Sequence, residues 1–411
     1  MEIREDFSPQ LRPTIEVHPF DTIEDGEFLL LRNPEHSRYL KLKKKADPLI
    51  KKMDGKTSVA QLQNMYKDID VFHLVKTLAN AGFLTEIESE EHLVPLHTVK
   101  IPFFDANKEF LQKVYRFLRF TGSKPFLIGY AIFVLSGMIL FLMHFHTIVE
   151  YAYMNFHLGV PLTYLLIFFA IFYIVEFAHE LAHAGASYNC GAEPGRVGLV
   201  FHFLVAFFYA DTPNTRILDK KGNILVFVSG PLLSLLAAEL STYMFMFTEN
   251  MPMVWAASSF FWHTSTLITL SPFMQTDGYY IVQCLARFPN LLDHSILYAK
   301  TRVKRWIRLI DKKVYTQIMS KWNEKQKRFL FVYMWLWPVQ TLILTYFFFF
   351  SVNKANVLQV FRVFPEILSA ENPYGYKGYF LAAFYSWGII AGILPVILTV
   401  KNYLRRGRSH V

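Results

Sequence analysis

The stretch LTYLLIFFAIFYIVEFAHELAH, residues 162–183, decides how this chain is read. It runs uncharged from Leu162 to Val175 and then places Glu176, His179, Glu180 and His183 within one short segment. The apolar part has the character of a membrane span. Ionisable side chains are expensive in such a setting and persist where they have something to bind. On a helix, residues four apart point about 40° from one another, so His179 and His183 can aim two imidazoles at one metal ion. Glu180 falls on the same broad face, placed to take a proton from a water held there. The plain alternative is a set of polar groups hydrogen-bonded inside a helix bundle. Four ionisable residues so close together in lipid weigh against it.

The rest of the chain suits that setting. Of 411 residues, 53% are hydrophobic and 17% aromatic, with only 18% charged, which is greasier than an ordinary soluble protein of this size. The opening MEIREDFSPQ is charged and shows no apolar core of a cleaved signal. Two cysteines, Cys190 and Cys284, supply neither a disulfide framework nor a cysteine metal site. The net charge of +9 is read as the basic bias of cytoplasmic loops, with no nucleic acid as partner.

The expected fold is mainly α: a polytopic membrane helix bundle of about six spans with a re-entrant segment, plus a small soluble α+β domain of winged-helix-like character. That domain occupies residues 1–95. EFLLLR (27–32) and SRYLKL (37–42) read as strands about a turn at 33–36. Three short helices follow, in ADPLIKKM, in TSVAQLQNMYKD with a cap at Thr57 or Ser58, and in DVFHLVKTLANAGFL, stopped by Gly82. Residues 96–124 read as an amphipathic juxtamembrane linker, with Phe110, Leu111, Val114 and Leu118 on one face. The core is expected at 125–285, a basic loop at 286–328, and C-terminal helices with a basic tail at 329–411.

Span candidates lie at 125–147, 161–187, 222–247, 252–275, 329–351 and 378–400. The loops 148–160 and 248–252 carry no Lys or Arg, whereas 276–328 carries twelve against four acids. The positive-inside bias therefore places both termini and the basic loop in the cytoplasm of a multi-pass cell-membrane protein. A crossing by GRVGLVFHFLVAFFYADT would invert every later loop, so 195–210 reads as a re-entrant or hairpin element that gates or clamps substrate. The same topology puts His179, His183 and Asp277, in LSPFMQTDGYY, at similar depth. Asp277 is thus the candidate third ligand. His263 stands fourteen residues earlier, about 21 Å along a helix, and reads as a hydrogen-bonded helix residue. His202 could approach the site but reads first as structural. Glu176 either stands beside the ligands or pairs with a polar neighbour, and Glu239 reads as a bundle-facing polar residue.

At these positions the chain resembles the site-2 protease family of intramembrane zinc metallopeptidases. HELAH (179–183), VSGPLLS (228–234) and PFMQTDGY (272–279) are similar to that family's motifs, most of all to its bacterial peptide zinc metalloprotease group. The resemblance spans about residues 160–285. It implies one Zn2+ per chain on His179, His183 and Asp277, with Glu180 as general base in peptide-bond hydrolysis. The chain departs from the pattern at Ser234 and Ser271, where relatives commonly carry Asn; these are candidate substrate-handling positions, and serine donates with shorter reach. Residues 1–95 resemble PqqD-like domains, which implies recognition of a leader by strand addition to a sheet edge. The implied substrate is a small peptide precursor, ribosomally made and modified, and a peptide exporter is a candidate partner. The rival from another class is a non-catalytic membrane peptide-binding, export or immunity factor with a vestigial metal site, which an intact Glu180 argues against. A di-iron enzyme would need several histidine boxes, and a transporter an inverted repeat.

Overall fold

Why three strands form at the amino-terminal end follows from one leucine-rich segment. In the computed structural model, which describes residues 4–20, 27–33, 38–85, 98–202, 205–286, 288, 291–354, 360, 362–369, 372–383 and 386, FLLLRN is the middle strand of an antiparallel sheet. The order is β1 (Glu16–Phe20), β2 (Phe28–Asn33), β3 (Arg38–Lys43). Leu29 and Leu31 of β2 are buried against α1 (Asp47–Lys51), α2 (Val59–Met65) and α3 (Val71–Asn80). Helix α2 starts at Ser58 with a reciprocal capping box to Gln61. Helix α3 is capped by Asp70 and ends before Gly82, whose φ of 76° suits only glycine without strain. The two expected strands and three helices are present. Strand β1 is an addition: EVHPF carries Glu, His and Pro, a composition that hides a strand, and proline is tolerated at a sheet edge.

The linker needs a larger correction. Residues 98–105 are a strand, β4 (Thr98–Asp105), and only then does α4 (Glu109–Leu118) follow. Tyr115 is the buried residue of α4, while Phe110 and Phe117 face outward. Next come α5 (Lys124–Met143), a short α6 (Phe145–Met154) and α7 (Leu162–Asn189). β4 pairs antiparallel with β5 (Arg196–His202), which pairs with β6 (Val205–Ala210). The segment 195–210 is thus a β-hairpin extended by a third strand from far away in the chain. Gly198 makes that pairing close, since a Cβ there would strike the backbone of Ile101.

The remaining elements are α8 (Lys220–Phe247), α9 (Pro252–Thr269), α10 (Asp277–Ala286), α11 (Leu291–Trp306), α12 (Lys312–Met319) and α13 (Glu324–Lys354). Among the described residues, three helices are long and apolar enough to cross a bilayer: α5, α7 and α8. Six were expected. The fourth candidate, α9, has only 18 residues and carries Ser258, Ser259, His263 and Thr266, which lower its hydropathy. The fifth coincides with α13, and the sixth falls largely outside the described residues. Helix α5 exposes Ile128, Ile132, Leu135, Ile139 and Leu142 along one stripe, the face a spanning helix gives to lipid.

Helices α7 and α8 are antiparallel, because His183 meets Val226 while His179 meets Ser234. Helices α8 and α9 are antiparallel as well, because Thr242 meets Ser259 while Glu239 meets His263. Helix α9 therefore runs alongside α7 in the same direction, and the chain after α9 returns to the level of the HELAH segment.

Candidate metal centre

Helix α7 continues unbroken through the ionisable segment to Asn189. No glycine or proline interrupts it there before Gly185, and the helical spacing puts both histidines on the buried face. Their Nε2 atoms lie 3.1 Å apart. Asp277, first residue of α10, brings Oδ2 to 3.4 Å from each of them. Three donor atoms thus form a nearly equilateral triangle, with His179 and His183 only 8% and 7% exposed.

What turns these atoms inward is the other nitrogen of each ring. Nδ1 of His183 donates to the carbonyl oxygen of Val226 at 2.7 Å. That leaves the Nε2 lone pair of the neutral ring facing the triangle. Nδ1 of His179 lies 2.7 Å from Oγ of Ser234, which can accept in the same way. Both partners belong to α8, next to Pro231, which removes one rung from the helical hydrogen-bond ladder. Gly230 lies opposite the triangle: a Cβ there would strike Nε2 of both histidines. The space in front of the imidazoles exists because this residue has no side chain. Lone pairs and a carboxylate turned on one another in a buried place repel unless a cation sits among them, and ties to the outward nitrogens are what metal-binding histidines use.

Glu180 is held from the opposite side. The backbone N–H of Ala210, at the end of β6, donates to its Oε2 at 2.6 Å. Its carboxylate lies near enough for His179, Glu180 and His183 to form a group that could hold a metal ion, with ligand atoms within 4.8 Å of one another. The hairpin is fixed to α7 by aromatic contact, with Phe208 against Phe177 at 5.1 Å and Tyr173 at 6.2 Å between ring centroids. Val197 and Ala184 share a small core with Tyr115 of α4.

Asp277 is placed by its neighbours on both sides. The loop before it is pinned by α13, where the Tyr333 hydroxyl donates to the carbonyl of Pro272 at 2.7 Å and Gln340 donates to Oγ of Ser271. Gly278 lets α10 press against the carbonyl of Leu270, since any Cβ would collide with it. Ser271 therefore anchors the loop and is buried, whereas Ser234 touches the centre through His179.

The other candidates fall apart from this group. His263 is buried, with Nε2 3.1 Å from Oε1 of Glu239 and Nδ1 2.9 Å from the carbonyl of Ser259, and Phe141 stacks on its ring at 3.8 Å. This pair ties α8 to α9, with Glu239 fully buried against Gly137 of α5. His202 closes β5 opposite Val205, and its side chain lies outside the described residues. Glu176 stands one turn before His179 on α7, half-buried. Sequence reasoning missed three participants that are backbone groups or an absence: the Val226 carbonyl, the Ala210 N–H and the missing side chain of Gly230. Only the last had a signal, as part of the Gly-Pro motif. No family model, curated protein or solved structure matches this chain.

Proposed function

We propose that the chain is a membrane-embedded zinc endopeptidase of the site-2 protease type, hydrolysing a peptide bond within or beside the bilayer. One observation carries this reading: two imidazole Nε2 atoms and one carboxylate oxygen meet at 3.1–3.4 Å with a second carboxylate beside them. Three ligands of a tetrahedral zinc, each about 2.0–2.1 Å from it, stand roughly 3.3–3.4 Å apart. His179, His183 and Asp277 would hold the ion, and two neutral nitrogens with one oxygen are a donor set that suits it. When bound, zinc supplies a Lewis acid for the scissile carbonyl and makes a water acidic near neutral pH.

The remaining work falls to groups of the chain. Glu180 takes the proton of the attacking water and passes it to the leaving amine. The Ala210 N–H occupies one of its oxygens and so aims the other. Ser234 and the Val226 carbonyl keep both rings in the tautomer that presents Nε2. β6 is an edge strand, and an unfolded substrate segment in lipid needs backbone partners, so the substrate pairs with the outer edge of β6.

The substrate class follows from the resemblance of both regions: a small, ribosomally made and modified peptide precursor. Its leader adds to an open edge of the β1–β2–β3 sheet. Six spans with both termini in the cytoplasm put the centre near the inner face of the cell membrane, within reach of that domain and of an exporter for the product. The test is Glu180→Gln in the full chain, with mass spectrometry of peptides encoded beside the gene. The variant keeps its metal, and cleavage falls by roughly 10²–10⁴-fold, the usual contribution of a general base. Retained proteolysis would sink the mechanism.

A further inference from the structure

Three polar side chains on α9 are buried without a partner. Ser258 and Trp262 are 0% and 1% exposed and Thr266 is 5% exposed, and among the described residues Oγ of Ser258, Nε1 of Trp262 and Oγ1 of Thr266 have no hydrogen-bond partner. A buried hydroxyl or N–H left dry costs about 1–3 kcal/mol, and alanine, phenylalanine or valine would fill the same spaces without that cost. The three recur every fourth residue, which keeps them on one side of the helix at steps of roughly 6 Å. Two hydrogen bonds of about 2.8 Å through a single water cover that step.

The row runs toward the metal centre. Trp262 stacks on Phe172 of α7 at 5.8 Å, and α7 and α9 run in the same direction. One turn further along α9 lies Thr266. After another turn, Leu270 backs onto Gly278, the neighbour of Asp277. We propose that the buried side of α9 that carries these three residues holds a row of bound waters, one accepting the indole N–H of Trp262 and its neighbours reaching the hydroxyls of Ser258 and Thr266. Buried waters typically satisfy such otherwise unpaired groups. Resting on the hydrolytic reading above, the row is a store from which the reacting water is drawn inside an apolar bundle. As a binding site it needs neither zinc nor cleavage.

Hydroxyl-radical footprinting by radiolysis of the full chain in lipid nanodiscs tests it, because bound water makes radicals where bulk solvent does not reach. Trp322 is the internal control: it is equally buried, at 3% exposed, but its Nε1 donates to Nδ1 of His294 at 3.1 Å. Trp262 is expected to be oxidised severalfold faster than Trp322, in metal-loaded and metal-free protein alike. Equal, slow oxidation of the two would overturn the proposal. In the Ser258→Ala, Thr266→Val double variant the Trp262 rate falls severalfold. An unchanged rate would remove these hydroxyls from the site. Because the readout involves no substrate, its failure leaves the peptidase reading standing, and the loss of that reading leaves the waters.

Discussion

In the sheet domain the fully buried side chains are nearly all apolar, Leu31, Leu49, Leu62, Leu78 and Phe83 among them; buried Asn33 donates to the carbonyl of Gly82, and the other polar work is done at the rim by caps such as Ser58 and Asp70. In α7, α8 and α9 the arrangement is reversed. His179, His183, Glu239, Ser234 and His263 are buried, while Ile128, Ile132 and Leu135 on α5 face outward. The first pattern is what water requires of a small domain. The second is what lipid permits only when every buried polar group has a partner or a task. Stability therefore explains nearly every buried residue of the domain, whereas in the bundle His179, His183, Asp277 and Ser234 gather at one place and Glu239 with His263 ties α8 to α9 at another.

The sharpest way to break this contrast is Gly230→Ala. In a core built for packing, one added methyl is absorbed at modest cost. Here the Cβ strikes the Nε2 of both histidines, whose rings are tied behind by Ser234 and Val226. Bound metal is expected to fall to background in elemental analysis, while Gly129→Ala, where an added Cβ meets nothing, leaves it unchanged. The converse test is Leu31→Ala, which should destabilise the sheet domain by about 2–5 kcal/mol in thermal unfolding without altering metal content. A fall in metal content would show that the two regions are coupled, and the bond from the Tyr39 hydroxyl to Oδ1 of Asn214 at 2.9 Å would be the first contact to examine. The smallest effect belongs to Ser234→Ala. Loss of the tie on His179 should weaken metal binding by roughly 10–100-fold in chelator competition, with the metal still present at saturation.

How far the sequence could be read follows the same division. The segment from Glu176 to His183 announced itself because two histidines and two glutamates stand where lipid is expected, and Asp277 came from loop charge and span direction alone. Both meet in the folded chain. Ser234 was noticed only through resemblance, and its bond to His179 depends on how α8 lies against α7. The Val226 carbonyl and the Ala210 N–H left no trace, because backbone groups look alike in every residue. β4 was hidden because its partner strand is about a hundred residues away, and its period-2 pattern, broken by Pro102, is short beside the helical pattern that follows. Of the six spans expected, three helices are long and apolar enough among the described residues, and α9 falls below that measure because hydroxyls and His263 stand among its apolar residues.

The central claim is that His179, His183 and Asp277 hold one zinc ion. X-ray absorption at the zinc edge, on the purified full chain with its metal content measured, tests it most directly. The account predicts one zinc per chain with only nitrogen and oxygen neighbours at about 2.0–2.1 Å, and the outer-shell scattering of two imidazoles. Substoichiometric zinc that chelator removes without changing the protein, or a sulfur shell near 2.3 Å, would contradict it.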